Sequence, residues 1–497
     1  MKKLERFLPL AYILTACVPL LATLMLVQGL MHTSISAFVP VYSDEIDYWH
    51  ETATFLKAGF GGGYYTINEI PATASFTPFG PHGPSVIVFF GLIGKIIGWN
   101  YDSPFILNLG IITLALLAFL LITRPRWGQL GLIAAFFAVC WPVLFFLPTG
   151  MEETLNQVGG ILFAALIFIF LRDGMKNSIW LWITILLLAF FCSIRYTWIF
   201  LVPVFALAGF RKIGWKKGLW MAAACVVIIG AGFYLVSIQY APYPNSFTSS
   251  VMYFLKRSVP EAIKFFWEHL RDNLTAFFPA GNILQWETME RIQVVGVSVY
   301  LAVLVFVYRR KPESRLAWVV LAALIPIIAA QILFYEIRRL IDVRIFAPYL
   351  IFAVLLIVTS RPHGWAWVTS AVILGNVILV SSMMQIYPSY HNAQFYADIS
   401  SIEATSQQLA PYIQYKENAP RWCNSVTTTL DQKELMGVPA GVGITYVMDA
   451  TGINYPLDAK YTIFRNSVFA RSKPVHLQKL AQLDIGYLFL NLNAKCP

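Results

Sequence analysis

The sequence predicts an α-helical polytopic membrane protein. About 11 helices cross the bilayer, further helices lie in its interface, and a small α/β domain stands outside at the C-terminus. Three observations carry this. Hydrophobic residues make up 58% of the 497 and charged residues only 12%, about half the charge of a soluble globular protein. That apolar surplus exceeds what one water-soluble core can hide, because cores stop growing near 250–300 residues. It is also parcelled into separate stretches of span length, and it thins out only after residue 384.

The apolar stretches run over 8–30, 84–99, 103–122, 129–148, 154–171, 178–193, 196–210, 218–238, 291–308, 316–334, 344–360 and 364–384. A hydrocarbon core about 30 Å thick needs roughly 20 helical residues. The first stretch follows Lys2, Lys3 and Arg6. It is too long for the apolar region of a signal peptide and reads as an uncleaved first span. The 178–210 stretch is too long for one span, so a hairpin is expected near Arg195.

Basic clusters set the orientation. Lys2/Lys3/Arg6, Arg124/Arg126, Arg172/Lys176, Arg211 to Lys217, Arg309 to Lys311 and Arg361 share one face if 84–99 does not cross. That segment is short, contains Lys95 and starts after Gly80-Pro81-His82-Gly83-Pro84, so it is expected to lie in the interface. The N-terminus is then cytoplasmic. A rival scheme keeps 84–99 as a span and merges 178–210, but it puts Arg124, Arg126, Arg172 and Lys176 outside.

In this layout residues 1–384 form the membrane-embedded domain. Residues 31–102 make a first outer loop with juxtamembrane helices, and 239–290 make another outer loop. In the latter, Leu255, Val259, Ile263, Phe266, Leu270, Leu274 and Phe277 recur at helical spacing among Lys256, Arg257, Lys264 and Arg271, the pattern of an interfacial amphipathic helix. Residues 385–497 form the extracytoplasmic α/β domain, with a helix expected over 398–415 and strands over 425–430, 444–448, 461–464 and 485–490.

The net charge of +10 has no basic–aromatic array beside it, so nucleic acid is not an expected partner. Cys17, Cys140, Cys192 and Cys225 lie in apolar runs as inert small hydrophobes. Cys423 and Cys496 lie in the polar C-terminal part and are expected to pair if that part faces an oxidising compartment. No Cys/His cluster has metal-binding spacing.

Polar residues that could do chemistry gather on the outer face. The run Val41-Tyr42-Ser43-Asp44-Glu45-Ile46-Asp47-Tyr48-Trp49-His50-Glu51 opens a helix with Asp44 or Ser43 as its cap. Tyr42, Tyr48 and Trp49 are expected to anchor it at the membrane surface. The pair Glu152-Glu153 stands at the outer mouth before a span, where adjacent carboxylates are costly unless paired or metal-bound; N-terminal acids favoured by a helix dipole are the plainer explanation. Arg195 sits in the expected hairpin with no carboxylate near it in sequence. Arg338, Arg339 and Arg344 lie near Glu336 and Asp342, which could pair with two of the three. Guanidinium groups in such places suit phosphate.

An Asp-Glu element on the first outer loop, a His/Pro turn leading into a juxtamembrane helix, a second acidic site and a later basic residue together resemble the polytopic type C glycosyltransferases. These include protein O-mannosyltransferases, aminoarabinose transferases and rhizobial galacturonosyltransferases. The resemblance covers roughly residues 1–240 and reaches Arg344-Ile345-Phe346-Ala347-Pro348. It implies that Asp44 is the catalytic acid–base residue, with Glu45 its neighbour. It implies that His82, with Tyr42 and Glu152, contacts donor or acceptor, that Glu153 or Glu152 is the second acidic position, and that Arg195, Arg344 and Arg338 receive the donor phosphate. The turn here is His-Gly-Pro where the family has His-Pro-Pro, and the second acid is a Glu pair where several branches have Asp.

The implied activity is transfer of a sugar from a polyprenyl-phosphate donor to a lipid, glycan or protein acceptor on the extracytoplasmic face. The expected home is a bacterial inner membrane. A hard divalent cation, Mg²⁺ or Mn²⁺, held by Asp44 and Glu153 is an optional cofactor. A lipid-linked sugar flippase and an O-antigen polymerase or ligase remain as alternatives.

Overall fold

The computed structural model describes residues 5–30, 43–63, 76–173, 178–205, 215–240, 247–277, 344–361, 364–394, 399–430, 432–446, 459–465 and 476–496. The expected spans at 291–308 and 316–334, and the basic clusters Arg211 to Lys212 and Arg309 to Lys311, lie outside the described residues.

The first apolar run is broken. Helix α1 (Leu8–Ala16) and helix α2 (Val18–Leu24) meet at Cys17 with a bend of 40°. Pro19 at the start of α2 explains it, since proline offers no N–H and crowds the preceding turn. A single π-helical stretch, Met25–Leu30, continues α2. Helix α3 spans Ser43–Ala58. Helix α4 (Pro84–Ile97) begins with proline after Gly83, whose φ is +81°, and ends at Gly98 with φ +88°. Its 14 residues extend about 21 Å, short of the hydrocarbon thickness, and it packs along α3.

Helix α5 (Ser103–Thr123) stops at Arg124, whose backbone is left-handed. The 129–148 run forms two pieces, α6 (Trp127–Val139) and α7 (Trp141–Phe146), parted where Cys140 turns extended ahead of Pro142. Helix α8 (Glu153–Asp173) is followed by α9 (Ser178–Ile194). The chain then extends at Arg195, where a hairpin was expected, and re-enters a 3-10 helix, Tyr196–Leu201; the 178–210 stretch is thus interrupted there. Next come α10 (Trp215–Ser237), α11 (Phe247–Arg257) and α12 (Val259–Phe277). The expected amphipathic helix is therefore two helices, interrupted by Ser258 ahead of Pro260. Helices α13 (Ala347–Ser360) and α14 (Trp365–Gln394) follow.

Helix α8 is the centre of the membrane half, packed against α5 and α13. Its best span window is 83% buried, whereas that of α10 is 6% buried. Small residues make the central position reachable: a Cβ on Gly160 would collide with the Pro348 carbonyl of α13, and one on Gly159 would press on the Phe191 ring of α9. Helix α10 instead turns Leu219, Trp220, Val227 and Leu235 outward, as a lipid-facing helix does. Among the described residues three helices are individually long and apolar enough to cross a membrane, four if α1 and α2 count as one broken span, and shorter apolar helices accompany them. The chain is an integral membrane protein.

The C-terminal region supplies α15 (Ile399–Leu409), α16 (Gln432–Leu435) and strands β1 (Ser425–Thr428), β2 (Gly443–Tyr446), β3 (Tyr461–Phe464), β4 (Leu477–Leu483) and β5 (Gly486–Asn491). The sheet order is β2-β1-β3-β5-β4. β1 runs parallel to β2 and β3, and β5 pairs antiparallel with β3 and β4. Strand β4 was not expected from its sequence, LQKLAQL, which is poor in β-branched and aromatic residues. It is an exposed edge strand carrying Lys479, a position where propensity counts for little and a charge blunts edge pairing. Cys423 and Cys496 are joined in a disulfide with their Cα atoms 5.6 Å apart.

The sheet does not stand apart from the membrane half. Ile46 of α3 is buried in one apolar cluster with Ile402, Val438, Ile444 and Leu488. His50 Nε2–H donates to the Val438 carbonyl (3.1 Å), and Gly441 N–H donates to Thr54 Oγ1 (3.2 Å). Arg421 donates to the carbonyls of Gly62 (3.0 Å) and Phe60 (3.2 Å), just beyond the end of α3.

Candidate active site

Helix α3 has two faces because helical spacing separates its residues into two rows. Ile46, His50 and Thr54 face the sheet, as the contacts above record. Asp44, Tyr48, Glu51 and Phe55 fall on the opposite row. Tyr48 O–H reaches Glu152 Oε2 (3.4 Å), Gly80 N–H donates to Glu51 Oε1 (2.8 Å), and Phe55 packs where Gly91 of α4 leaves room. Asp44 and Glu45 occupy the first turn, where the helix dipole favours negative charge.

The turn before α8 is built to abut this helix. Asn108, buried on α5, donates to the carbonyls of Thr149 (2.6 Å) and Leu147 (3.3 Å). Gly150 passes so close to α3 that an added Cβ would sit 3.6 Å from the Glu45 carbonyl oxygen. Glu152 and Glu153 follow at once. Asn156, one turn on, donates to the Glu152 carbonyl (3.1 Å) and accepts from Trp198 Nε1–H (2.9 Å).

Two arginines from distant stretches close on these acids. Arg195 donates through Nη2 to Glu152 Oε1 (2.9 Å) and lies 3.6 Å from Glu153 Oε1, with its side chain 2% exposed. Its Nη1 reaches the Ile345 carbonyl (3.4 Å). Arg344 Nε donates to Glu153 Oε1 (2.7 Å), and its guanidinium lies 5.4 Å from the Phe146 ring centre. The order is Glu152, Arg195, Glu153, Arg344, alternating in sign and summing to zero. Such pairing is what lets buried charge persist. Arg195 has no carboxylate near it in sequence; its partners are 43 and 42 residues away in the chain and adjacent in space.

The His82 ring packs on Tyr48 with ring centres 5.1 Å apart, close enough to Glu152 to favour that acid's ionised form. Burial, followed by Glu152, Asp44 and Glu153, pushes the Tyr48 phenol well above its usual range. Burial also raises the Glu152 carboxyl, against the pull of Arg195. On the other face of α3, burial lowers His50 to about 4, so it is a neutral donor under ordinary conditions.

Of the residues singled out by sequence, the structure brings together Glu152, Glu153, Arg195 and Arg344, sets His82 against Tyr48 and the Glu45 backbone beside Gly150, and places Asp44 in the first turn of α3, one turn before Tyr48. Tyr42 and Arg338 lie outside the described residues. A divalent cation on Asp44 and Glu153 would have only these two protein carboxylates, with Glu153 Oε2 buried and without a hydrogen-bond partner among the described residues. Among the described residues no three His, Cys, Asp or Glu side chains gather as ligands, and Glu153 Oε1 is already engaged by two guanidinium groups. Tyr48 is corrected from a membrane-surface anchor to a buried wall of the site. Its position one helical turn from Asp44 is the sequence signal that could have placed it there. Asn108, Asn156 and Trp198 were missed, because a polar residue inside an apolar run carries no label saying which loop it holds.

No protein-family model and no curated protein matches the chain. Solved structures do. The apo oligosaccharyltransferase of Archaeoglobus fulgidus matches over 90% of this chain and 69% of its own, with 13% identity and a TM-score of 0.51. ArnT from Cupriavidus metallidurans bound to undecaprenyl phosphate covers 97% and 98% of the two chains at 12% identity and a TM-score of 0.45. The A. fulgidus oligosaccharyltransferase AglB with an inhibitory peptide and a dolichol-phosphate covers 91% and 69% at 11% identity and a TM-score of 0.45. At these identities the likeness is one of fold alone.

Proposed function

We propose that this chain, having the type C glycosyltransferase fold, transfers a sugar from a polyprenyl-phosphate donor to an acceptor on the extracytoplasmic face of a bacterial inner membrane. The observation that carries the reading is the convergence of Glu152, Arg195, Glu153 and Arg344 beside the first turn of α3. Fold alone does not give function; a site in which buried guanidinium groups meet carboxylates next to a membrane surface suits a phosphate leaving group.

The reaction is a direct displacement. The acceptor's hydroxyl or amine attacks the anomeric carbon, its bond to that carbon forms, and the carbon–oxygen bond to phosphate breaks. Polyprenyl phosphate leaves with the bonding electrons. Asp44 takes the acceptor's proton, work for which a positioned carboxylate is worth 10²–10⁴-fold. Arg195 and Arg344 exchange part of their contact with Glu152 and Glu153 for the phosphate as its charge grows, preorganised charge being the strongest aid to such a step. Glu153 Oε2 is buried and accepts no hydrogen bond among the described residues, which leaves it available to orient the acceptor. His82 and Tyr48 form the wall against which donor or acceptor rests.

The test is purified full-length protein in detergent with a radiolabelled polyprenyl-phosphate sugar and candidate acceptors. Consumption of the donor with release of polyprenyl phosphate is expected. Movement of intact donor across a sealed vesicle without consumption would instead identify a flippase and refute the transferase reading.

A further inference from the structure

We infer that Glu51 is a positioning residue, whose carboxyl holds the Gly80–Gly83 turn so that His82 faces Tyr48 and Glu152. The inference rests on the transferase reading for its consequence and on geometry for its substance. Glu51 lies three residues after Tyr48 on the row of α3 that faces the site, and it is 7% exposed. Its Oε1 accepts the Gly80 N–H at 2.8 Å, in a buried bond between segments 29 residues apart. Gly80 opens the turn, closed by Gly83 N–H donating to the Gly80 carbonyl (3.2 Å). On the upstream side Phe79 N–H donates to the Gln239 carbonyl (3.3 Å), and downstream Gly83 packs beside the Tyr240 ring while capping α4 with no side-chain help. His82 is thus carried on a short turn tethered to α3 by one side chain, and its ring meets the ring that leaves α3 one turn earlier.

An acidic residue is a costly way to fill this place. Burial, and then the neighbouring Asp47, push the Glu51 carboxyl well above the usual carboxylate range. A leucine would pack at less cost but would strand the Gly80 N–H, and a stranded buried donor costs free energy. Side chains that fix a functional group's geometry without touching substrate are the expected support of such a site. A glutamine amide oxygen can accept the same Gly80 N–H bond without carrying a charge. That makes the role separable from charge.

The experiment uses full-length protein in detergent: wild type, Glu51→Gln, Glu51→Asp, Glu51→Leu, His82→Ala and Glu51→Leu with His82→Ala. Two readouts are taken, turnover of a labelled polyprenyl-phosphate sugar per folded molecule and the His82 ring resonance, assigned by its loss in His82→Ala. Glu51→Gln should keep the resonance and turnover within about threefold of wild type. Glu51→Leu should shift the resonance and lower turnover by about tenfold, and in the His82→Ala background it should cost less than twofold more, the non-additivity of groups acting through one another. If Glu51→Leu does not fold, Glu51→Asp, one methylene too short for Gly80, is read in its place and should shift the resonance. An unmoved resonance, or a full tenfold loss persisting in the His82→Ala background, overturns the assignment. Wild type that consumes no donor refutes the proposed function instead, and the resonance alone then decides Glu51.

Discussion

Asp44 can be tested apart from its place at a helix start. Asparagine caps a helix about as well as aspartate but takes no proton at neutral pH, so Asp44→Asn should fold normally while turnover falls by roughly 10²–10⁴-fold. Glu45→Gln should fall less. Turnover near wild type in Asp44→Asn would move the base elsewhere, with Glu153 next. His50 makes a prediction about pH. Its folded value is about 4 against an unfolded value near 6.5. Below pH 6.5 the unfolded chain binds a proton that the folded chain refuses, so stability is full above pH 6.5 and is lost as pH falls toward 4. The loss amounts to about 3 kcal/mol at the acid end. Melting curves of wild type and His50→Gln between pH 7.5 and 4.5 should diverge by that pattern, and parallel curves would show that the histidine does not titrate between the two states.

At the scale of elements, the glycines of α5 and α8 make a matched pair. A methyl group on Gly160 has nowhere to go but into the Pro348 carbonyl, whereas one on Gly110 meets nothing within 4 Å. Gly160→Ala should destabilise by about 2–3 kcal/mol, the usual cost of overpacking, and lower the melting temperature. Gly110→Ala should be neutral or slightly stabilising, since it removes backbone freedom from the unfolded chain. Equal effects would mean that α8 and α13 do not pack this closely. The elements also show what the sequence could and could not convey. Helices α4, α5, α8, α9 and α13 were legible from apolar runs, because lipid or a buried bundle demands them of the composition. The breaks at Cys17, Cys140 and Ser258 were each one proline away from being read. For the site, residue types and spacing pointed to the acids and arginines, but not to their mutual pairing. Arg195 and Glu152 meet only because α8 and α9 pack, and nothing local to either residue records that. Strand β4 was illegible for the opposite reason: its place is set by its neighbour β5 and not by its own side chains.

For the whole molecule, orientation is open to labelling. If the basic clusters face the cytoplasm, cysteines introduced at Pro125 and Gly174 should react with an impermeant maleimide only from inside, and those at Tyr65 and Ala440 only from outside. Labelling at position 125 from outside would restore the scheme in which 84–99 crosses. The disulfide gives a companion check. Cys423 and Cys496 should resist alkylation until reductant is added, and replacing both with serine should cost up to about 4 kcal/mol by the chain-entropy argument for a separation of 73 residues, read as a fall in melting temperature. Free alkylation in unreduced protein would exclude the bond.

The seat of α3 also imposes an order of events during biosynthesis. His50 is made early, but the carbonyl it bonds belongs to Val438, 388 residues later, and Ile46 must await the same late segment to be covered. At a synthesis rate of about 5–20 residues per second, the helix that carries Asp44 and Tyr48 waits with one face bare for roughly 20–80 s. A nascent chain can therefore insert its spans, assemble α5, α8 and α13 and pack α3 along α4, and still lack the sheet that covers the other face of α3. Messages truncated before the sheet is encoded should yield membrane-inserted but silent protein. Quality control of this protein is then a matter of its last hundred residues, even though most of the groups that would touch substrate are made in the first two hundred.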